Sequence, residues 1–282
     1  MLAKDLYIKI DNDFIKPGLS DDWIDYMPEL KPYFCDNFIN TNMGLVCDYT
    51  ETVNNVFTAV FPSEDVLNKL IDNYKNAMLF VHHASIWNLN KSPVGFYNMN
   101  PSLLEKLREK YISIYCIHSP LDNFSEYSTS KTLADALDIE MVKPFIDYRG
   151  GVCGIIGKTK YETVNELQLK YSEAVGHDTK LYQYGGKKIL DNKVAVCAGG
   201  GNDIFVINEV IENNINTLIT GVTLKSDYSV ATHEFEQEKQ INVIGGTHYS
   251  SEKFACIAMC KYFSKLGLSA EFIEDEPCLK DM

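Results

Sequence analysis

The sequence predicts an α/β fold of two lobes with mixed sheets flanked by helices. Short apolar runs alternate with amphipathic segments of helical period along most of the 282 residues, which is the pattern of α/β architecture. Hydrophobic residues make up 45% and charged residues 23% of the chain, as in ordinary globular proteins. The length is sufficient for two domains with a real hydrophobic core.

The first half of the chain contains three predicted strands that are each followed by a helix. Ser63 caps the first helix, because its side chain can accept a hydrogen bond from the helix N-terminus. Asn100 and Pro101 mark the start of the second helix as a cap followed by proline at the first helical position. The predicted strands are 54–62, 77–83 and 111–118, and the predicted helices are 63–76, 100–110 and 128–139.

The second half repeats this alternation after a glycine-rich segment at Arg149, Gly150 and Gly151, which we interpret as a boundary. We predict a metal-bearing lobe formed by residues 1–130 plus 235–282, a second lobe formed by residues 131–234, and a metal site in the cleft between them. The predicted strands are 150–157, 193–199, 215–221 and 241–246, and the predicted helices are 161–175, 200–213, 228–239 and 250–267.

Charge and cysteine usage narrow the class of protein. The formal net charge of −13 opposes non-specific binding to nucleic acid, since such a surface repels phosphate backbones. The eight cysteines are dispersed without a CxxC pair, which favours buried free thiols over disulfides or a zinc finger. No signal peptide and no membrane-spanning run is found, so we expect a cytoplasmic protein without a membrane partner.

Four of the six histidines stand where predicted strands end. In "LFVHHASIW", His82 and His83 follow an apolar strand, His118 ends the strand of "ISIYCIH", and His248 follows "INVIGG". Ligands in open α/β sheets gather beyond the carboxyl ends of strands. If the strands are neighbours in one sheet, these histidines face one crevice.

Two carboxylates accompany the histidines at matched spacing. Asp122 lies four residues after His118, and Glu252 lies four residues after His248. A helix that starts at Ser250 or Ser251 would place Glu252 in its first turn, with His248 just before it. A short helical turn would then direct each pair toward the same side.

Four imidazoles and two carboxylates form a donor set that suits Zn, Fe, Mn, Co or Ni better than Ca or Mg. Six side chains exceed the four ligands of a structural zinc and the three of a typical catalytic zinc. Two ions about 3.5–4 Å apart, sharing a bridging carboxylate, would use them all. The alternative from the residues alone is that strand-end histidines are hydrogen-bonded loop residues, which is our interpretation of His177.

Three motifs occur in the order seen in a known family: "HHASIW", "IHSPLD" and "GTHYSSE". They resemble the HHP-type, H-T-x-x-D-type and G-H-Y-x-x-E-type motifs of the NIF-three-like dinuclear-metal proteins, which include the GTP cyclohydrolase I type 2 homologues. The stretch "NTNMGL" is similar to their N-terminal N-x-G-L segment, and the resemblance extends from about residue 40 to about residue 260. Two departures are Ala84 in place of proline and Thr247 in place of glycine.

The resemblance implies two divalent transition-metal ions per chain and a homo-oligomer, a toroidal hexamer. It also implies a metal-dependent hydrolase for a small nucleotide-like molecule, with GTP as the substrate in the family's name and Asp122 or Glu252 as the bridging carboxylate. The alternatives are a metal-dependent phosphodiesterase or phosphatase, and a non-catalytic regulatory scaffold. The implied ligands are His82, His83, His118, Asp122, His248 and Glu252.

Two further features have less direct interpretations. The family carries a K-x-H pattern, and His233 stands out of register with it, so we expect His233 to be an exposed or capping helix residue rather than a proton-transfer group. In "CAGGGNDIF" we expect a tight turn with Asn202 or Asp203 capping the next helix; an anion site on the backbone N–H groups is the alternative.

Overall fold

The computed structural model describes all 282 residues and divides them into two compact units. The first unit consists of Met1–Leu121, Arg149–Gly151 and Cys256–Glu276. The second unit consists of Asp122–Tyr148, Val152–Ala255 and Pro277–Met282. Each unit contains a mixed sheet with helices, which confirms the predicted α/β class.

The strands and helices alternate along most of the chain, as predicted. The strands are β1 (Gly44–Cys47), β2 (Asn55–Ala59), β3 (Ala77–Val81), β4 (Ile86–Trp87), β5 (Phe96–Tyr97), β6 (Ile112–Cys116), β7 (Glu140–Tyr148), β8 (Gly151–Lys158), β9 (Lys180–Tyr182), β10 (Lys193–Cys197), β11 (Thr217–Thr220), β12 (Asn242–Gly245) and β13 (Ser269–Phe272). The α-helices are α1 (Ala3–Phe14), α2 (Trp23–Tyr26), α3 (Asp36–Thr41), α4 (Glu64–Asn73), α5 (Pro101–Glu109), α6 (Ser119–Asp122), α7 (Thr129–Ala136), α8 (Val164–Val175), α9 (Ile204–Glu212), α10 (Val230–Lys239) and α11 (His248–Lys265).

The first unit is built on a five-stranded sheet in the order β1-β6-β3-β2-β13. Its central strands β3 and β6 are buried at every position, as expected for parallel strands that are covered on both faces. They pair in parallel with Val81 opposite Cys116, so both end at the same edge of the sheet. The predicted caps are present: Ser63 accepts a hydrogen bond from the Val66 N–H, and Asn100 accepts one from the Ser102 N–H.

The second unit is built on a six-stranded sheet in the order β7-β8-β10-β11-β12-β9. Strands β10, β11 and β12 run parallel, and β8 and β9 join them antiparallel. Helix α8 begins with a capping box in which Thr163 and Glu166 satisfy each other's backbone N–H groups. The strand β12, which precedes His248, therefore lies in a different sheet from β3 and β6, so the assumed single row of strand ends holds for two strands out of three.

Several elements were not predicted from the sequence. Helix α1 has its buried Leu6, Ile10 and Phe14 four residues apart, but acidic and basic residues separate them and weaken the apolar pattern. Strand β7 contains Pro144, which is tolerated because β7 lies at the edge of its sheet. Strands β1, β9 and β13 have only three or four residues each, too few to give a periodic signal.

The turn between β7 and β8 fixes a segment near the N-terminus. Arg149 and Gly150 have φ values of +47° and +84°, as in the tight turns that favour hairpins. A Cβ atom at Gly150 would lie 1.9 Å from the carbonyl oxygen of Gly18, so only glycine allows this approach. The Ser20 N–H donates to the Arg149 carbonyl oxygen at 3.1 Å, which holds residues 18–22 against the turn.

All eight cysteines are free thiols and six of them are buried, which confirms the expectation of free thiols in the core. No helix combines the length and the apolar character that crossing a membrane requires.

Burial of Cys47 predicts a loss of stability at alkaline pH. Burial raises the pKa of the Cys47 thiol from the ordinary 9.0 to about 12. The thiol ionises at a lower pH in the unfolded chain than in the folded chain. The stabilisation that comes from burying the neutral thiol is therefore complete below pH 9 and is lost as the pH rises toward 12. Between pH 8 and pH 10 we expect this loss to lower the free energy of unfolding by about 1 kcal/mol. Urea unfolding at both pH values checks this. Cys47→Ala should reduce the alkaline loss by about that amount, and an identical loss in the variant would contradict it.

Candidate metal centre

Three histidines of the first unit lie together at one edge of its sheet. His82 and His83 follow β3 directly, and His118 follows β6 after Ile117. The imidazole centroids are 4.4 Å apart for His82 and His83, 5.0 Å for His82 and His118, and 4.9 Å for His83 and His118. One ring nitrogen from each lies within 4.8 Å of the others. We call these three residues the histidine cluster.

Hydrogen bonds orient two of the three imidazoles. The Nδ1 atom of His82 lies 3.2 Å from the Ile117 carbonyl oxygen, and the Nδ1 atom of His118 lies 2.8 Å from a carboxylate oxygen of Asp21. A carbonyl or a carboxylate accepts, so each Nδ1 carries the proton and each Nε2 carries the lone pair. This is the tautomer that metal-binding histidines adopt when a neighbour fixes the ring.

Asp21 is the centre of this support, and sequence reasoning did not select it. Its side chain is 1% exposed and also accepts hydrogen bonds from the Ser119 N–H at 3.2 Å and the Ser119 hydroxyl at 3.1 Å. The Arg149 guanidinium lies 4.0 Å from Asp21 and forms a closer ion pair of 2.8 Å with Asp22. Asp21 thus connects the N-terminal segment to His118 across 97 residues of sequence.

Aromatic rings enclose the histidine cluster. Phe61 stacks on His83 with centroids 4.7 Å apart, and Phe96 lies 5.6 Å from the same imidazole. Trp23 meets His83 and His118 edge-on at 5.6 Å and 5.0 Å. Such an apolar surround restricts access of water and lowers the local dielectric, which strengthens electrostatic interactions inside it.

In the second unit, His248 and Glu252 lie on one face of α11. The helix begins at His248, not at Ser250 or Ser251 as expected, so the two residues are separated by one helical turn. Nε2 of His248 is 3.4 Å from a carboxylate oxygen of Glu252. The His248 N–H donates to the Asp281 carboxylate at 2.8 Å, which satisfies a backbone donor at the helix N-terminus.

The glycine-rich loop after β10 packs against this pair. A Cβ atom at Gly199 would lie 2.3 Å from a carboxylate oxygen of Glu252 and 3.3 Å from Nε2 of His248, so the glycine makes room for both side chains. The loop ends in a cap, because Asp203 accepts a hydrogen bond from the Phe205 N–H at 3.0 Å. The expected tight turn with a capping Asp203 is confirmed, and its glycine has the added role of accommodating Glu252.

Three candidate residues belong to neither the histidine cluster nor the pair on α11. Asp122 ends the short helix α6 and accepts a hydrogen bond from the Thr129 hydroxyl at 2.7 Å. His177 follows α8 in a loop, where Nδ1 lies 2.8 Å from the Asp178 carbonyl oxygen, in agreement with its interpretation as a loop residue. His233 is 2% exposed, so the expectation that it is an exposed or capping residue is wrong.

The donor chemistry of the histidine cluster fits a transition metal. Imidazole nitrogens are ligands of Zn, Fe, Co, Ni and Cu, and they bind as neutral rings with a lone pair on one nitrogen. His82 and His118 are held in that form, and three ligand atoms within 4.8 Å of one another are close to the spacing that one small cation needs. Buried groups of histidine and glutamate in this chain could therefore hold a metal ion.

The chain is similar to known proteins over most of its length. The model of the DUF34/NIF3 (NGG1p interacting factor 3) family matches residues 29–277. The GTP cyclohydrolase 1 type 2 homolog of Pyrococcus horikoshii is 28% identical over 255 residues, covering 86% of this chain and 95% of that protein.

Solved structures with the same fold include protein ybgI, described as of unknown function, with a TM-score of 0.75, 21% identity, and coverage of 99% of this chain and 100% of that one. Reduced HcgD from Methanocaldococcus jannaschii has a TM-score of 0.66 and 22% identity, with 98% of each chain covered. These likenesses concern the fold. Because the family model spans most of the sequence, this chain belongs to the DUF34/NIF3 family.

Proposed function

We propose that this chain is a hydrolase that holds two divalent transition-metal ions and acts on a small nucleotide-like molecule. The observation that carries the proposal is the histidine cluster, whose three imidazoles are buried or nearly so and of which two are fixed as Nδ1-protonated tautomers. A carboxylate behind a ligand histidine is the usual support of a metal site. The proposed ligands are His82, His83, His118, Asp122, His248 and Glu252.

The residues of the chain have distinct parts in this proposal. The histidine cluster supplies three nitrogens, and the helical pair His248 and Glu252 supplies a fourth nitrogen and a carboxylate from one face of α11. Asp122 or Glu252 would bridge the ions. The burial of both sets supports roles as ligands, since buried polar groups need partners in a folded protein.

Ions held by such ligands supply Lewis-acid activation of water and of a carbonyl or phosphoryl oxygen. The chain itself orients the ligands through Asp21 and Ile117 and limits the access of water through Trp23, Phe61 and Phe96. The nucleotide class of substrate rests on the name of the relatives, GTP cyclohydrolase 1 type 2 homolog. We further propose a homo-oligomer, a toroidal hexamer, as the functional assembly.

Metal content and turnover, measured on one preparation, test the proposal. We expect elemental analysis to return close to two transition-metal ions per chain, and we expect hydrolysis of GTP or a related nucleotide that stops when a chelator removes the ions. One ion or none per chain would refute the dinuclear centre. Two ions with no turnover on nucleotides or phosphoesters, and a lower melting temperature after chelation, would instead support a metal-binding scaffold.

A further inference from the structure

A buried carboxylate from a distant part of the sequence lies at the start of α11. Asp281 is fully buried, and an oxygen of its side chain accepts a hydrogen bond from the backbone N–H of His248, 33 residues earlier, at 2.8 Å. A carboxylate is favourable there, because the first N–H groups of a helix lack partners within the helix and form the positive end of its dipole. The contact thus compensates for the cost of burying the acid.

Hydrogen bonds of its own main chain hold Asp281 in this place. The Asp281 carbonyl oxygen accepts from the Thr223 and Leu224 N–H groups at 2.7 and 2.8 Å. The Asp281 N–H donates to the Cys278 carbonyl oxygen at 2.9 Å. Thr223 and Leu224 belong to the segment that follows β11, and His248 belongs to the segment that follows the neighbouring parallel strand β12. Asp281 therefore joins the segments that leave two adjacent strands of the six-stranded sheet.

A capping box holds the same helical turn. The Thr247 hydroxyl oxygen accepts a hydrogen bond from the Ser250 N–H at 3.0 Å, and the Ser250 hydroxyl oxygen accepts one from the Thr247 N–H at 3.0 Å. In this box, serine takes the place of the usual glutamate or glutamine. Thr247 is one of the two departures from the family motifs, and a glycine at this position would supply no hydroxyl. The departure therefore adds a side-chain cap to the helix that carries His248.

Both contacts fix the turn that separates His248 from Glu252. Helix ends fray, but here the N–H groups of His248 and Ser250 are both hydrogen-bonded to buried side chains. Nε2 of His248 lies 3.4 Å from a carboxylate oxygen of Glu252. Ligand atoms of a metal site must stay within about 0.2 Å of their ideal distances from the ion, so fraying of this turn would spoil the site.

We propose that Asp281 is a positioning residue, which fixes the backbone of His248 so that His248 and Glu252 keep the spacing that metal ligands need. The inference rests on the proposed function, in which both side chains are ligands. Asp281 acts through the main chain of a ligand, whereas Asp21 acts through the imidazole of His118. The motif "GTHYSSE" does not reveal this support, because the acid lies outside it.

Hydrogen exchange of backbone amides in chelator-treated protein tests the positioning without any metal. In Asp281→Ala the His248 N–H should exchange about tenfold faster than in the wild type, relative to the amides of β11, because it loses a hydrogen bond to a charged group. Asp281→Asn retains an acceptor without the charge, so its rate should be intermediate. The matched control is Thr163→Ala, which removes the cap of α8, a helix that carries none of the proposed ligands. Exchange at His248 should not change in this control.

Competition with a chromogenic chelator measures the zinc affinity of the same variants. We expect Asp281→Ala to weaken zinc binding about tenfold and Asp281→Asn to weaken it less. Thr163→Ala should have a lower melting temperature and the zinc affinity of the wild type. If Asp281→Ala fails to fold, Asp281→Asn and Thr247→Val decide: both should speed exchange in the first turn of α11 and weaken zinc binding.

The outcomes separate this inference from the proposed function. Unchanged exchange at His248 in the Asp281 variants, or faster exchange with unchanged zinc affinity, would overturn the positioning role and leave the proposed metal centre intact. Absence of zinc binding by the wild type would refute the proposed function, and with it the role of Asp281 toward a ligand.

Discussion

Replacement of His83 by alanine should lower the affinity for transition-metal ions more than a hundredfold and reduce the metal content of purified protein. Structural zinc sites with four ligands bind with about 10–16 kcal/mol, so one ligand accounts for roughly 3 kcal/mol, and every 1.4 kcal/mol is tenfold in affinity. His83 supplies one of three ligand nitrogens that lie within 4.8 Å of one another, so its removal leaves the histidine cluster with two. Competition with a chromogenic chelator measures the affinity.

The matched control is His177→Ala, which removes a histidine from an exposed loop after α8. Its affinity should equal that of the wild type. Glu252→Ala should also lower metal content if the helical pair on α11 supplies ligands, and metals that stay bound in Glu252→Ala would remove that residue from the ligand set. Melting temperatures separate loss of a ligand from loss of fold. The difference in melting temperature between His83→Ala and the wild type should be much smaller when both are free of metal than when metal is present.

The features that sequence predicted are those with a local cause. Ser63 and Asn100 were recognised because a cap needs only its own helix start. His82, His83 and His118 were placed together because buried apolar strands that alternate with helices pair in parallel and end at one edge. The α/β class also has a local cause, because apolar runs alternate with amphipathic helical segments along the sequence. The caps used residues of one helix start, and the grouping of the histidines used two strands with the same local pattern.

The features that were missed depend on distant parts of the chain or on polar burial. Asp21 reaches His118 only after the Arg149–Gly150 turn has fixed the N-terminal segment, and nothing in "SDDW" distinguishes it from a surface acid. His233 is buried although the sequence predicts an exposed or capping residue. The buried face of α10 consists of Thr232, His233 and Glu236, so the helix lacks the apolar stripe that normally reveals its inner side.

Asp21→Asn should weaken metal binding about 10–100-fold, the usual cost of losing the group that supports a ligand. The carboxylate accepts from Nδ1 of His118, so its charge raises the basicity of Nε2 and holds the ring in one orientation. An asparagine can accept one of these hydrogen bonds but supplies no charge. Nitrogen NMR of the His118 imidazole in metal-free protein should show the Nδ1-protonated tautomer in the wild type and a mixture in the variant, a readout that does not require metal.

Asp22→Asn is the control that isolates the role of position. Asp22 is adjacent in sequence and also pairs with Arg149, but it is 40% exposed and does not contact His118, so its loss should change stability by less than about 1 kcal/mol and leave metal affinity unchanged. Asp21→Ala should destabilise the fold more than Asp21→Asn does. His118, Ser119 and Arg149 all lose a buried acceptor, and removing one partner of a buried charged network costs about 3–5 kcal/mol. Equal metal affinities for the two asparagine variants would show that Asp21 acts as a structural residue of the N-terminal segment and not as the support of a ligand.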